Sequence, residues 1–314
     1  MFTAELKSEW NEDISILIKV DNHSYNYICE CGEASGLSVK DCQNTNAIFI
    51  SHTHIDHFAN FDTILRHQLG IGRKVVICGP EGIIEQVHHR LKSYCWNLIE
   101  ADALSYEVRE VLSSEHYRSA ILRPPAWEIL DLGTFRSDRI FEEKDFHVEF
   151  EILDHKTDSI AYLFRANDKV KIDLPSGIPG GKWVGELKAA YEMNEPSRQI
   201  KMGDNEYPAS ELFHMMKSEQ GKTLGVIMDH AASVENHRKI EAKFKNCDEI
   251  FIECFYKDED KDLAIKNHHS YASKSGEIVK KCHVGSATPV HFSRKYNAEE
   301  VAQLHQEFDK ARKG

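Results

Sequence analysis

The chain has 314 residues, 41% of them hydrophobic, enough to bury a large core as one sizeable domain or two fused halves. Lys and Arg total 39 against 51 for Asp and Glu, a formal charge of −12, which argues against broad, non-specific nucleic-acid affinity. The N-terminal stretch MFTAELKSEWNEDISILIKV lacks the pattern of a secretory leader, and no apolar run is long enough to span a bilayer. The eight cysteines are scattered without a CxxC pair, so reduced core thiols are expected in a soluble, cytoplasmic chain that engages no membrane.

In chain order, strands are expected at Ile14–Val20, Tyr27–Cys31, Ala47–Ser51 and Val75–Cys78, the third a nearly continuous apolar run suited to a sheet buried on both faces. Phe58–Leu69 carries Phe58, Phe61, Ile64, Leu65 and Leu69 on one stripe and reads as a helix, as does Pro80–Leu91, which starts with proline. Lys92–Asp145 is irregular, and its aromatic residues (Tyr94, Trp96, Tyr106, Tyr117, Trp127) suggest the local core of an inserted helical cap over 92–145. Phe146–Leu153 and Ile160–Phe164 look like a strand pair. The irregular stretch Arg165–Lys222 follows. Leu224–Met228, Glu249–Glu253 and Pro289–Phe292 then read as strands, and Val234–Phe244, Ala272–Lys281 and Ala298–Ala311 as helices. Two comparable halves, roughly 1–165 and 222–314, imply one α/β domain over 1–314 with sheets face to face and helices outside. Pattern alone equally allows a doubly wound sheet.

The strongest chemical signal is Ser51-His52-Thr53-His54-Ile55-Asp56-His57, directly after an apolar strand. Alternate residues of an extended segment point the same way, so His52 and His54 can share one ion while Asp56 and His57 turn toward a second. Partners are expected at later strand ends: His155, Asp229 and His291, each after an apolar run. One ion would take His52, His54 and His155, the other Asp56, His57 and His291, with Asp229 bridging. Imidazole and carboxylate donors suit zinc, with manganese or iron as alternatives. A hydroxide bridged by two divalent ions is a nucleophile at neutral pH. Glu253 and His269 form a further pair, because a carboxylate beside a histidine fixes its tautomer and raises its imidazolium fraction, as a general acid requires. Ser270 stands as an N-cap candidate for Ala272–Lys281.

These residues resemble the metallo-β-lactamase superfamily and, within it, the ribonuclease Z branch. His52 to His57 is similar to the family's HxHxDH, and Ile77-Cys78-Gly79-Pro80 to its strand-to-turn segment. Leu153-Asp154-His155 with Tyr162, and Gly177-Ile178-Pro179-Gly180-Gly181, look like further family stretches. Met228-Asp229-His230 stands where the family has Gly-Asp-Thr, and Ile252-Glu253-Cys254-Phe255 where it has His-Glu-Ala-Thr. His269-Ser270-Tyr271 stands where it has His-Ser-Thr, and His291 to Tyr296 matches its final His-Phe-Ser-x-Arg-Tyr. The sequence departs at Glu30, where the family has a bracing aspartate, and at Arg165–Leu174, shorter than the family's extended arm.

The resemblance implies an αββα sandwich, a homodimer and a metal-dependent phosphodiesterase. Its substrate would be precursor tRNA, cleaved as by an endoribonuclease, with Asp56 orienting the nucleophile and His269, oriented by Glu253, protonating the leaving oxygen. A hydrolase of smaller phosphodiesters, cyclic nucleotides, lactones or sulfate esters is the alternative on the same scaffold, and a non-catalytic metal-binding protein ranks last.

Overall fold

The computed structural model describes residues 1–175 and 178–314, so Gly177 of the Gly-Ile-Pro-Gly-Gly stretch lies outside the described residues. The chain divides into two compact units, Met1–Arg165 with Lys222–Gly314, and Ala166–Gly221.

The first sheet of the larger unit is built from β1 (Phe2–Leu6), β2 (Ile16–Val20), β3 (Asn26–Cys29), β4 (Thr45–Phe49), β5 (Lys74–Gly79), β6 (Ser105–Ser113), β7 (His116–Leu122) and β8 (Leu130–Arg136), hydrogen-bonded in that order. β3 to β6 run parallel, which aligns the C-terminal ends of β4 and β5 on one edge. The chain continues with β9 (Arg139–Glu142), β10 (Phe146–Asp154) and β11 (Asp158–Ala166). In the smaller unit, β12 (Lys169–Ile172) pairs with β15 (Met216–Glu219), and β13 (Gln199–Met202) with β14 (Asn205–Pro208). Helix Lys182–Glu192 packs there around a core of Trp183, Leu187, Ile200 and Leu212. β16 (Thr223–Ile227), β17 (Glu249–Glu253) and β18 (Ser286–Val290) complete a six-stranded sheet of order β18-β17-β16-β11-β10-β9.

Strand alternation decides the layers. Ala47 and Phe49 of β4 enter a core shared with Tyr162, Phe164, Val226 and Phe251 of the second sheet, so the two sheets pack face to face. Ile48 and Ile50 point the other way, onto Phe61, Ile64 and Leu65 of helix Phe61–Gln68 and Ile84, Val87 and Leu91 of helix Ile83–Lys92. On the far side, Ile250 and Ile252 pack under Ile240 and Phe244, Ile278 and Val279, and Leu304 and Phe308 of three further helices. The order helix, sheet, sheet, helix is the expected αββα sandwich, and it removes the doubly wound alternative.

One expectation is corrected. Residues 92–145 form no helical cap: they supply β6, β7, β8 and β9. The buried pattern of Ser105–Ser113 belongs to a sheet extension, and Tyr106, Trp96 and Trp127 pack in the layer between the first sheet and its helices. The smaller unit, Ala166–Gly221, occupies the stretch between the two expected halves that reads as irregular in sequence.

Candidate metal centre

The site gathers at the ends of β4, β10, β16, β17 and β18, where each strand hands the chain to a loop. Nine of the expected residues converge there. Ligand atoms of His52, His54, His155 and Asp229 all lie within 4.8 Å of one another, as do those of Asp56, His57 and His291, and those of Asp229, Glu253 and His269. Asp229 lies at the junction, with Oδ1 at 2.8 Å from His291 Nδ1 and 3.4 Å from His57 Nε2, and Oδ2 at 3.4 Å from His155 Nε2 and 3.8 Å from His52 Nε2.

Local structure holds these rings in place. The His52 loop is pinned at its start by Tyr162, whose hydroxyl donates to Ile50 O at 2.8 Å across the sandwich, and by Ile160 N donating to Ser51 O at 2.8 Å. His155 Nδ1 donates to the His268 carbonyl at 2.6 Å, which leaves Nε2 for the cluster. Glu30 reaches the place of the family's aspartate: its Oε2 lies 2.8 Å from His57 Nδ1, and it also accepts from Ser51 N at 2.9 Å and Ser51 Oγ at 3.0 Å. Four residues in or beside these loops adopt left-handed backbone: Glu30 (φ 68°), Lys156 (φ 60°), His268 (φ 59°) and His291 (φ 58°). Such conformations in non-glycine residues cost of order 1–3 kcal/mol each and persist only where surrounding contacts enforce them. At Gly32 a Cβ would sit 2.3 Å from Asp56 O, so only glycine lets the Glu30 loop lie against the histidine loop.

The donor set fits divalent cations. Among the described residues, His52 Nε2 and His57 Nε2 are buried without a well-formed hydrogen bond, an unusual cost for a site with no ligand to offset it. Burial holds His52 neutral, its pKa lowered to about 2, the form an imidazole needs in order to ligate. His291 is driven the other way: burial opposes its charge, but Asp229 and Asp56 outweigh it and raise the pKa to about 9. Glu253 is fully buried yet ionised, because His269 beside it and a hydrogen bond with the His230 side chain outweigh desolvation and bring its pKa to about 2. In return Glu253 and Asp229 raise the His269 pKa against the effect of burial, so the Glu253–His269 pair keeps a proton on the imidazole.

Some contributors escaped the sequence reading. His230 N donates to Glu253 Oε2 at 3.0 Å, and Asn236 brackets the Asp154–His155 turn, accepting from Asp154 N and donating to Asp154 O, both at 2.9 Å. A buried asparagine on an otherwise amphipathic helix was the one available sign. Ser270 is not the N-cap of Ala272–Lys281: Tyr271 holds that position, while Ser270 N donates to Glu253 Oε2 at 3.2 Å. β18 stops at Val290 short of the expected Phe292, because the left-handed His291 turns the chain into the cluster.

A search of family models finds no match. Among characterised proteins, ribonuclease Z of Deinococcus radiodurans is 25% identical over 280 residues, covering 86% of this chain and 82% of its own. Ribonuclease Z of Borrelia duttonii is 26% identical over 292 residues, covering 89% and 80%. The metallo-β-lactamase fold protein YhfI from Bacillus subtilis superposes with a TM-score of 0.60 at 12% identity, over 100% of this chain and 94% of its own. The short form of human tRNase Z superposes at 0.56 with 13% identity, over 94% and 93%. The chain has the metallo-β-lactamase fold, and along most of its length its sequence is similar to ribonuclease Z. His52, His54, Asp56, His57, His155, Glu253, His269 and His291, all within the stretches that carry the sequence resemblance, are the residues that the fold assembles around Asp229.

Proposed function

We propose that the chain is a metal-dependent phosphodiesterase, a ribonuclease Z-like endoribonuclease acting on precursor tRNA. The observation that carries this reading is the Glu253–His269 pair, its carboxylate fully buried, beside two three-ligand groups with Asp229 at their junction. Divalent ions held by His52, His54 and His155, and by Asp56, His57 and His291, with Asp229 between them, would lower the pKa of bound water and neutralise charge on a phosphoryl oxygen. Zinc suits this mixture of imidazole and carboxylate, with manganese or iron as alternatives.

The chain's own residues do the rest. Asp56, part-exposed at the cleft, orients the attacking water by accepting its hydrogen bond. Glu253 engages His269 Nδ1, fixing the tautomer and leaving Nε2 to protonate the departing oxygen. A second reading, a hydrolase of small phosphodiesters, lactones or sulfate esters, is favoured by the −12 charge, which gives little overall attraction for RNA. A cytoplasmic location and a homodimer belong to the same proposal. The first is supported by eight free cysteines, and among the described residues no helix is long and apolar enough to cross a membrane. The homodimer rests on the resemblance alone.

The test uses bis-p-nitrophenyl phosphate and elemental analysis. His54→Ala and Asp229→Ala are expected to lose bound metal and turnover together. His269→Ala is expected to keep its metal while slowing the release of a basic alkoxide leaving group by about 10²–10⁴-fold, the usual worth of general acid catalysis, and that of p-nitrophenolate far less. Full metal content in His54→Ala would overturn the ligand assignment.

A further inference from the structure

The hydrogen bond that His269 donates to Glu253 anchors one atom of the ring, Nδ1, and a ring held at one atom can still swing its plane. Phe255 removes that freedom. Its ring lies flat against the imidazole, with centroids 3.9 Å apart and planes 6° from parallel. Two edges complete the enclosure: His155 at 4.7 Å and 61°, and Tyr256 at 5.8 Å and 78°. Phe255 also approaches His291, at 5.0 Å and 43°, so one side chain touches both the expected proton donor and an expected metal ligand.

Phe255 is itself rigidly mounted. Cys254 N donates to Val290 O at 2.9 Å, Ser293 N to Phe255 O at 3.0 Å, and Ala272 N to Tyr256 O at 2.9 Å. The Glu253–Tyr256 segment therefore ties the His269 loop to the His291 loop, and the phenyl ring projects from its middle. A side chain serving only to fill the core would be fully buried among aliphatic neighbours. Phe255 is only partly buried, and its closest ring contact is the imidazole face. The position holds threonine in the family pattern that the segment resembles, so the stack is a feature of this chain.

We infer that Phe255 is a positioning residue: stacked on His269, it fixes the plane of the imidazole so that the proton destined for the leaving oxygen points into the cleft. This rests on the phosphodiesterase reading given above. A 1 Å misplacement at a reacting centre can cost up to about 10²-fold in rate. The loss should grow with the basicity of the leaving group, because p-nitrophenolate departs with little help from an acid and an alkoxide or phenolate does not.

The experiment measures kcat, KM and metal content for the metal-loaded wild type, Phe255→Leu, Phe255→Tyr, His269→Ala and the Phe255→Leu/His269→Ala double variant, on aryl phosphodiesters of rising leaving-group pKa. In parallel, the His269 Cε1–H resonance is followed in the metal-free proteins. Phe255→Leu is expected to keep its metal and to slow the poor leaving groups about tenfold or more, with p-nitrophenolate release within about twofold of wild type. Phe255→Tyr is expected to behave as wild type. In the His269→Ala background the leucine change is expected to add nothing, because the two residues act as one unit. The ring-current displacement of the His269 resonance should vanish in the leucine variant and persist in the tyrosine variant. Phe255→Met replaces the leucine variant should that protein fail to fold. A loss uniform across leaving groups, an additive double variant or an unmoved His269 resonance each overturns the positioning role while leaving the phosphodiesterase reading intact. A wild type that hydrolyses no phosphodiester overturns that reading and, with it, the catalytic role of Phe255, even where the resonance reports the stack.

Discussion

Glu30 is fully buried with both carboxylate oxygens engaged, one by Ser51 N and the other by His57 Nδ1 and the Ser51 hydroxyl. Such a brace orients a ligating ring and raises its basicity, and losing one costs about 10–100-fold in metal affinity. Glu30→Gln keeps the shape and removes the charge, so it is expected to weaken metal retention by that order in a chelator competition. Retention equal to wild type would mean that the His57 ring needs no brace. At this scale the sequence was legible wherever chemistry is packed locally, as in His52 to His57. Asp229, His155 and His291 could be read because each ends an apolar strand. Asn236, Phe255 and His230 could not, because their roles arise from contacts between loops distant in sequence, which no periodicity encodes.

The helix Val234–Phe244 shows what an element adds. Its amphipathic pattern made it readable, the structure adds a Ser233 cap whose hydroxyl accepts from Asn236 N, and its inner face then delivers Asn236 and His237 behind the cluster. Burial, helped by the nearby His230, lowers the His237 pKa from 6.5 to about 3. Above 6.5 the ring is neutral whether folded or unfolded, and it has no effect on the pH dependence of stability. Below that value the unfolded chain takes up the proton first, so stability falls as the pH drops toward 3. Denaturant midpoints of wild type and His237→Phe between pH 7 and pH 4 are expected to diverge, with the shallower acid loss in the variant. Parallel curves would contradict the buried neutral ring. Other elements were misread for physical reasons. The expected helix Phe58–Leu69 is two, Ile55–Phe58 and Phe61–Gln68, because the chain between them turns so that Asn60 N can donate to Cys31 O at 2.8 Å.

For the whole molecule, the sandwich followed from strand alternation in both halves, whereas the separate unit Ala166–Gly221 did not. That unit has a small core of its own around Trp183 and Leu187, too short in sequence to stand out from irregular connection. Its two ends are neighbours in the larger unit's second sheet, where β11 and β16 pair antiparallel with Arg165 opposite Thr223. A hairpin turn of a few residues can therefore bridge them. Replacing 166–221 with such a turn is expected to leave a cooperatively folding protein with its metal content unchanged, measured by thermal unfolding and elemental analysis. Loss of metal in the trimmed chain would show that the cluster depends on the smaller unit.

Cutting of RNA by these residues is tested most directly by offering the zinc- or manganese-loaded chain a precursor tRNA with a 3′ extension. The expected result is a single shortened RNA from wild type, with none from Asp229→Ala. An intact RNA alongside rapid turnover of a small phosphodiester, lactone or sulfate ester would contradict the claim and leave the smaller substrates as the answer.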